Sequence, residues 1–286
     1  MRPFLLLAMV VFCGCASTLS TLQTAETTPA RHLELKAGIG AFAPLGAVPH
    51  LAKALDIEKA SLQHLATSGS HPVPPVEQRD ALLDAALSVL LQTPGPVWEI
   101  GARFGLTSFW DVGARLSSND WALDSKVRLF KRPLGKELTH SAALDLRYAH
   151  VDISNPLVTA LDFVNMGGFS RFDVEATGLY TINARDQVRL YGGPKAVYTR
   201  FEFDERAFKF GNAATDFAGL PPLAGSLHDT MWFFGGVGGL AATYKRATVY
   251  TELNAGYTRL RPELFGKKRN LGGLTLYPAV GVGFAF

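Results

Sequence analysis

Trp98-Glu99-Ile100-Gly101-Ala102-Arg103-Phe104 sets Trp98, Ile100, Ala102 and Phe104 on one side of an extended chain, with Glu99, Gly101 and Arg103 on the other. Period two is the mark of a β-strand with two unlike faces. The pattern continues in both directions. Upstream, Leu33, Leu35, Ala37 and Ile39 oppose Glu34, Lys36, Gly38 and Gly40. Downstream, Trp110, Val112, Ala114 and Leu116 oppose Asp111, Gly113 and Arg115, and Trp121, Leu123, Val127 and Leu129 oppose Asp124, Lys126 and Arg128. A soluble sandwich turns its apolar face inward, whereas a transmembrane barrel turns it toward lipid. Alternation alone fits both.

The links between strands separate the two cases. Strands are predicted near 32–42, 96–105, 108–117, 120–131, 137–150, 168–182, 187–203, 229–245, 247–260 and 272–286. The links after the second, fourth, sixth and eighth are short, and those after the first, fifth, seventh and ninth are longer. The link near Asn119 breaks the rhythm by being short. Outer-membrane barrels have an even strand number, short periplasmic turns and longer external loops. The expected fold is therefore an all-β, transmembrane, antiparallel up-and-down barrel of about ten strands, with eight or twelve as alternatives, and with both termini periplasmic. Trp232 and Tyr244 share a face twelve positions apart. At ~3.3 Å per residue and a tilt near 40° that covers on the order of 30 Å, the height of an apolar band with its two girdles. Trp98, Trp110 and Trp121 are the other girdle candidates.

Composition agrees with this reading. The 286 residues carry a net charge of +3 with 19% charged side chains, too mild for a nucleic-acid binder. No stretch of the mature chain offers the about 18 apolar residues of a helical span. The 28 glycines and 11% aromatic residues suit many strands joined by tight turns.

The N-terminus reads as a targeting segment. Arg2 precedes a short apolar run, Phe4 to Phe12, and then Cys13-Gly14-Cys15. The run Phe12-Cys13-Gly14-Cys15 resembles the lipobox of bacterial lipoproteins, with Phe12 and Cys13 in place of the usual Leu and Ala or Ser. The resemblance implies cleavage before Cys15, a diacylglyceryl thioether on Cys15 and handling by the lipoprotein-sorting machinery. The other reading is an ordinary signal cleaved nearby. On the first, residues 1–14 are signal peptide, 15–31 a flexible periplasmic tether rich in Ser, Thr and Ala, and 32–286 the barrel. The chain ends with Leu276, Pro278, Val280, Val282, Phe284 and Phe286 on one face. A terminal Phe after an alternating strand resembles the signal that outer-membrane proteins present to the barrel-assembly machinery. In plan the chain resembles the small lipid-anchored outer-membrane β-barrel proteins of some predatory and social Gram-negative bacteria, which implies outer-membrane lipid as its surroundings and names no ligand.

Residues 43–95 do not alternate. Pro49–Thr67 and Val76–Gln92 read as two helices of an external insertion, the second with a stripe of Leu83, Ala86, Leu87, Leu90 and Leu91. These helices pack on each other, cap the barrel mouth or lie on lipid. The inward face would carry Glu34, Lys36, Glu99, Arg103, Asp111, Arg115, Asp124, Lys126, Arg128, Asp145, Arg147, Arg171, Asp173, Glu175, Arg189 and Glu252. Mixed signs in so narrow a space predict pairing across strands and a mostly closed lumen, with neither cation nor anion selectivity. No phosphate loop, nucleophile elbow, metal-ligand spacing or cofactor motif occurs. His150 with Asp152, and His228 with Asp229, stand near the external rim, where ten-stranded proteases of the omptin type place acidic and His residues, but the paired aspartates and Asp-x-His spacing are missing. The sequence thus assigns no catalytic residue. It leaves three functions open: a surface structural or binding module with narrow permeability at most, a small-solute channel, and a rim hydrolase.

Overall fold

The computed structural model describes residues 18–68, 75–92, 94–118, 120–135, 137–152, 169–184, 187–203, 227–264 and 267–286. The signal segment and Cys15 lie outside them. The barrel strands are β1 (Leu33–Pro44), β2 (Gly95–Gly105), β3 (Trp110–Ser117), β4 (Asp120–Pro133), β5 (Leu138–Asp152), β6 (Phe169–Ala184), β7 (Val188–Phe203), β8 (Leu227–Tyr244), β9 (Ala247–Leu260) and β12 (Gly273–Ala285). Two residues each form β10 (Glu263–Leu264) and β11 (Lys267–Lys268), a small hairpin in the link before β12. Each barrel strand pairs antiparallel with its neighbours, and β1 closes on β12, with Gly38 opposite Gly281. The barrel sheet has no open edge, which removes the site where foreign strands would add to it.

The strands alternate because their two faces meet different surroundings. Leu35, Ile39, Trp98, Ile100, Leu123, Leu146, Leu190, Leu240, Leu253 and Val280 project outward and are exposed. The charged positions between them are buried inside, Asp111 completely so. An apolar outer wall around a polar interior is the reverse of a soluble core and is the pattern of an outer-membrane barrel. Outward rings run around the wall in sequence: Trp121 to Tyr148 (5.9 Å between centroids), Tyr148 to Phe172 (6.2 Å), Phe172 to Tyr198 (6.3 Å) and Tyr198 to Trp232 (4.9 Å). Trp98 and Trp232 lie toward the same end, while Trp110 and Tyr244 lie toward the other, where β3 begins and β8 ends. No helix among the described residues is long and apolar enough to cross a membrane.

One end carries the turns after β2, β4, β6 and β8; the other carries the long links after β1, β5, β7 and β9 and the short one after β3. Helices α1 (Val48–Ser68) and α2 (Val76–Leu91) lie in the first long link. They pack on each other, and side-chain bonds tie α2 to the link that carries β10 and β11. Gln92 Nε2 donates to the Leu271 carbonyl at 2.7 Å, and Arg269 bridges Asp80 (2.8 Å) and Asp84 (2.5 Å). The buried positions on α2 are Ala81, Ala85, Leu87, Ser88 and Leu91. Leu87 and Leu91 of the expected stripe are thus buried, beside Ala81, Ala85 and Ser88. The side chains of Leu83, Ala86 and Leu90 lie outside the described set.

One expectation fails for residues 18–28, the part of the tether before Pro29 that is described. Residues 18–28 are not a loose tether: they are packed inside the barrel, with Leu19, Ser20, Thr21, Leu22, Gln23 and Ala25 all buried. The two ends of the described chain also do not share a mouth. Phe286 pairs with Leu33 at the short-turn end, donating to its carbonyl at 2.8 Å. Thr18 instead meets Asp120, the first residue of β4, at the long-link end. The physical reason is that the lumen is too polar to remain empty and too narrow to hold a solvated chain.

The clasp on α2 titrates. Hydrogen bonds from Lys267 (2.7 Å) and Arg269 hold the Asp80 carboxyl below its ordinary 3.8. A depressed carboxylate stabilises the docked helix above its unfolded value and loses that contribution as pH falls through the folded one. Hydrogen exchange of residues 76–91, corrected for intrinsic rate, should be faster relative to β9 at pH 3 than at pH 7. In Asp80→Asn this difference should largely vanish; an equal difference in both proteins would remove Asp80 as the cause.

Candidate functional site: the threaded lumen

The lumen is built from inward positions of all ten strands and from one extended segment. Thr18 to Thr28 runs from the long-link mouth to the short-turn mouth, where Ala30 bridges Gly105 and Arg31 donates to the Gly105 carbonyl at 2.8 Å. β1 then starts back up. An extended chain leaves its backbone groups without intrasegment partners, so each needs one from outside. The wall supplies charged partners at nearly every step.

Carbonyls of the segment meet cations. Thr18 O accepts from Arg147 (2.5 Å), Leu19 O from Lys195, and Ser20 O from Arg115 (2.8 Å) and Arg147 (3.1 Å). Leu22 O accepts from Lys36 (3.2 Å), and Thr24 O and Glu26 O share Lys126 at 3.0 and 2.6 Å. Amides meet anions and hydroxyls: Thr28 N donates to Asp111 (2.7 Å) and Ala25 N to Thr181 (2.8 Å). Side chains complete the set, with Ser20 on Glu99 (2.8 Å) and Gln23 on Asp145 (2.8 Å).

Glu252 gathers several donors at once. The consecutive amides of Thr21 and Leu22 each donate to its carboxylate at 2.7 Å. Leu22 has φ 45°, the left-handed conformation, which turns successive N–H groups into one concavity of the kind that binds anions. Tyr191 (2.9 Å) and Asn254 (2.7 Å) donate to the same group. Dipoles rather than a cation thus hold this buried charge. The Leu22 side chain lies against paired Gly38 and Gly281, where an added Cβ would stand 2.5 and 2.7 Å from its Cδ1. The two glycines form the socket for Leu22.

Strand charges pair with each other as well. Arg103 bridges Asp111 and Asp124 and lies 3.7 Å from Asp145; Lys126 is 3.6 Å from Asp111. Glu175 joins Arg147 and Lys195 (3.1 Å), Arg171 holds Asp173 (2.9 Å), Arg115 meets Glu99 (3.2 Å), and Lys36 meets Glu34 (3.4 Å). Arg189 reaches Glu26 of the threaded segment at 3.2 Å, joined there by Lys131 at 2.7 Å. Arg128, opposite buried Ala143, keeps the inward parity but stands at the short-turn rim, where it bonds the Ser108 carbonyl (2.6 Å).

Sequence reasoning missed Glu26, Asp120, Lys131 and Lys195. Lys195 follows Gly192-Gly193-Pro194, which interrupts the alternation that would have flagged it. An apolar component was missed too: Leu19, Leu22, Phe42, Tyr191, Phe233, Tyr250 and Tyr277 face inward beside the charges. The glycine run of β8 serves that packing, since the Tyr191 ring lies over Gly239. Inside, a recess bordered by Thr18, Leu19, Phe42 and Leu91 holds about 20 Å³, and another by Leu22, Lys36, Glu99 and Arg115 about 30 Å³. Each has room for a water or two, not for a solute. A larger concavity, about 780 Å³, follows outward Ile39, Leu190, Leu240, Leu253 and Val280 along the apolar wall. His150 sits against Trp121 (5.9 Å), and β6 and β7 separate its strand from that of His228, so these rim residues are not brought together. No cluster that could hold a metal occurs among the described residues.

Among solved structures, the chain is similar to Ail, the attachment invasion locus protein of Yersinia pestis, at 9% identity, covering 90% of this chain and 99% of that one with a TM-score of 0.28. It is also similar to the translocator domain of the autotransporter NalP from Neisseria meningitidis, at 10% identity over 100% and 95% of the two chains, TM-score 0.34. The outer membrane protease OmpT from Escherichia coli matches at 9% identity over 93% and 100%, TM-score 0.34. No protein-family profile matches the sequence, and no curated protein matches it. The fold rests on the chain's own strand pairing.

Removing the Glu252 carboxylate leaves the amides of Thr21 and Leu22 buried without an acceptor, at about 1–3 kcal/mol each. Glu252→Ala should lower the thermal midpoint of the folded, heat-modifiable band clearly, and Glu252→Gln, which keeps one acceptor oxygen, should lower it less. Equal midpoints for wild type and Glu252→Ala would show that the latch contributes nothing.

Proposed function

We propose that this chain is a lipid-anchored outer-membrane barrel that stoppers itself, serving as a surface structural or binding module rather than a conduit. The observation that carries the reading is the course of residues 18–28, whose side chains and backbone bond to wall residues from Asp120 at one mouth to Asp111 near the other. A solute would have to displace that segment, which would strip Glu252 of two amide donors and take carbonyl partners from Arg147, Lys195 and Lys126. The helical insertion adds cover at one mouth, where Leu91 borders the recess beside Thr18. Lipid on Cys15, sorting as a lipoprotein and recognition of Phe286 by the assembly machinery complete the proposal. In support, Phe286 remains exposed at the end of the closing strand. The rim hydrolase has no constellation in its favour among the described residues.

Planar-bilayer recording tests the closed lumen. The intact protein should show no steady conductance, and deletion of residues 18–28 should open one; deletion of 48–91 should change conductance less. Steady conductance from the intact protein would make it a channel. Cys15→Ala should abolish labelling by a radiolabelled fatty acid, and labelling that persists would remove the lipid from this account.

A further inference from the structure

The two ends of the barrel carry their charges differently. At the short-turn end Arg31, Arg132, Lys245 and Arg246 are all exposed. Among the described residues the carboxylates at that rim are Glu26, which already holds Lys131 and Arg189, and Glu137. Cations therefore prevail there. At the long-link end cations come with acids beside them: Arg200 with Glu202 (3.1 Å), Lys267 with Asp80 (2.7 Å), and Arg269 with Asp80 and Asp84.

Two of the short-turn cations lie over rings of the outer wall. Lys245 Nζ is 5.3 Å from the centroid of Tyr244, and the Arg132 guanidinium is 5.8 Å from that of Phe130. His140 packs edge-on against Phe130 (5.4 Å between centroids), and its Nδ1 lies 2.9 Å from the Tyr180 hydroxyl. Arg132, His140 and Tyr180 thus form a polar cluster on a wall that is otherwise apolar. A cation held on a ring at the edge of an apolar band stands where lipid headgroups stand.

The backbone favours the same reading. The β8–β9 turn consists of Lys245 and Arg246, and Lys245 has φ 56°. Two-residue hairpins place Gly, Asn or Asp in that left-handed conformation, so Lys there is strained. A turn selected for closure alone has no reason to carry it. Arg31, at the same mouth, is left-handed as well, with φ 63°.

We propose that the short-turn rim binds anionic phospholipid headgroups, the phosphate diester resting on Lys245 and Arg246 in one sector and on Arg132, His140 and Tyr180 in another. The proposal rests on the membrane-barrel reading above, in which short turns face the periplasm, so the lipid belongs to the periplasmic leaflet. The wall supplies the complementary surface for the acyl chains. From Tyr244 to Leu240 is four residues, on the order of 10 Å along the barrel axis. At Leu240 the chains meet the outward concavity of about 780 Å³ that also follows Leu253 and Val280. A soluble polyanion would reach the rim cations but would have no contact with that groove.

Electron paramagnetic resonance of the full chain, refolded in phosphatidylcholine vesicles with a trace of spin-labelled lipid, tests this. Spin-labelled phosphatidylglycerol should be motionally restricted in preference to spin-labelled phosphatidylcholine by roughly fivefold, the factor that one cation near an anionic headgroup supplies. The preference should fall toward parity at about 1 M salt. In the triple variant Lys245→Asn, Arg246→Gln, Arg132→Gln it should be lost at low salt. Asn tolerates the left-handed turn, so Lys245→Asn alone should keep or raise the thermal midpoint of the folded, heat-modifiable band while lowering the preference. The double variant Arg200→Gln, Arg259→Gln, at the opposite end, should retain it. Equal restriction of both lipids by the wild type would overturn the proposal, as would a full preference in the triple variant or its loss in the double one. Equal restriction beside an intact heat-modifiable band would refute the lipid site and leave the membrane barrel standing.

Discussion

An extended backbone inside a closed barrel has to satisfy every amide and carbonyl from the wall, and this requirement organises the molecule. Each unpaired group in a dry interior costs about 1–3 kcal/mol. The wall meets the requirement with ions: Arg147, Arg115, Lys195, Lys36 and Lys126 on the carbonyls, and Glu252 and Asp111 on the amides. The relation is reciprocal. Several of these ions have partial partners on the wall, such as Glu175 for Lys195 and Asp111 for Lys126. Glu252 relies on Thr21, Leu22, Tyr191 and Asn254. Segment and wall therefore stabilise each other, and neither is complete alone.

Shape follows from the same constraint. A tube wide enough for one extended chain has little space for large side chains along the chain's path. The segment is accordingly rich in small polar residues, with Thr18, Ser20, Thr21, Thr24, Thr27 and Thr28, and of its two leucines Leu22 enters a socket made by glycines on the two strands that close the barrel. The seam between β1 and β12 is thus marked from inside by Leu22 and at the turn end by the Leu33–Phe286 pair. Outside, the wall is apolar with aromatic rings in mutual contact from β4 to β8, the environment that a membrane interface requires of Trp and Tyr.

The strands were legible because inside and outside differ in kind, and period-two alternation records that difference residue by residue. The sites of all ten strands and the even-odd rhythm of their links follow from it, as do the inward positions of Arg103, Asp124, Arg147 and Glu175. What alternation cannot record is a segment with no solvent face. Residues 18–28 are surrounded by wall, so Thr, Ser and Leu succeed one another without period, and their composition resembles a linker. The available signal was the excess of inward charge, which needs partners beyond its own side chains, together with Leu19 and Leu22, which a solvated tether has no reason to carry. The clasp of Asp80 and Asp84 on Arg269 was not legible, because it joins α2 to a link almost two hundred positions away.

Hydrogen exchange at the amides of Thr21, Leu22, Ala25 and Thr28 in the folded, membrane-embedded protein tests the threaded lumen most directly. Thr21, Leu22 and Thr28 donate to carboxylates and Ala25 to a hydroxyl, all from the wall. They should exchange as slowly as the central amides of β5 and β9, because opening any of them requires the segment to leave the barrel. Exchange at the rate of an unstructured chain, beside protected strands, would contradict the account.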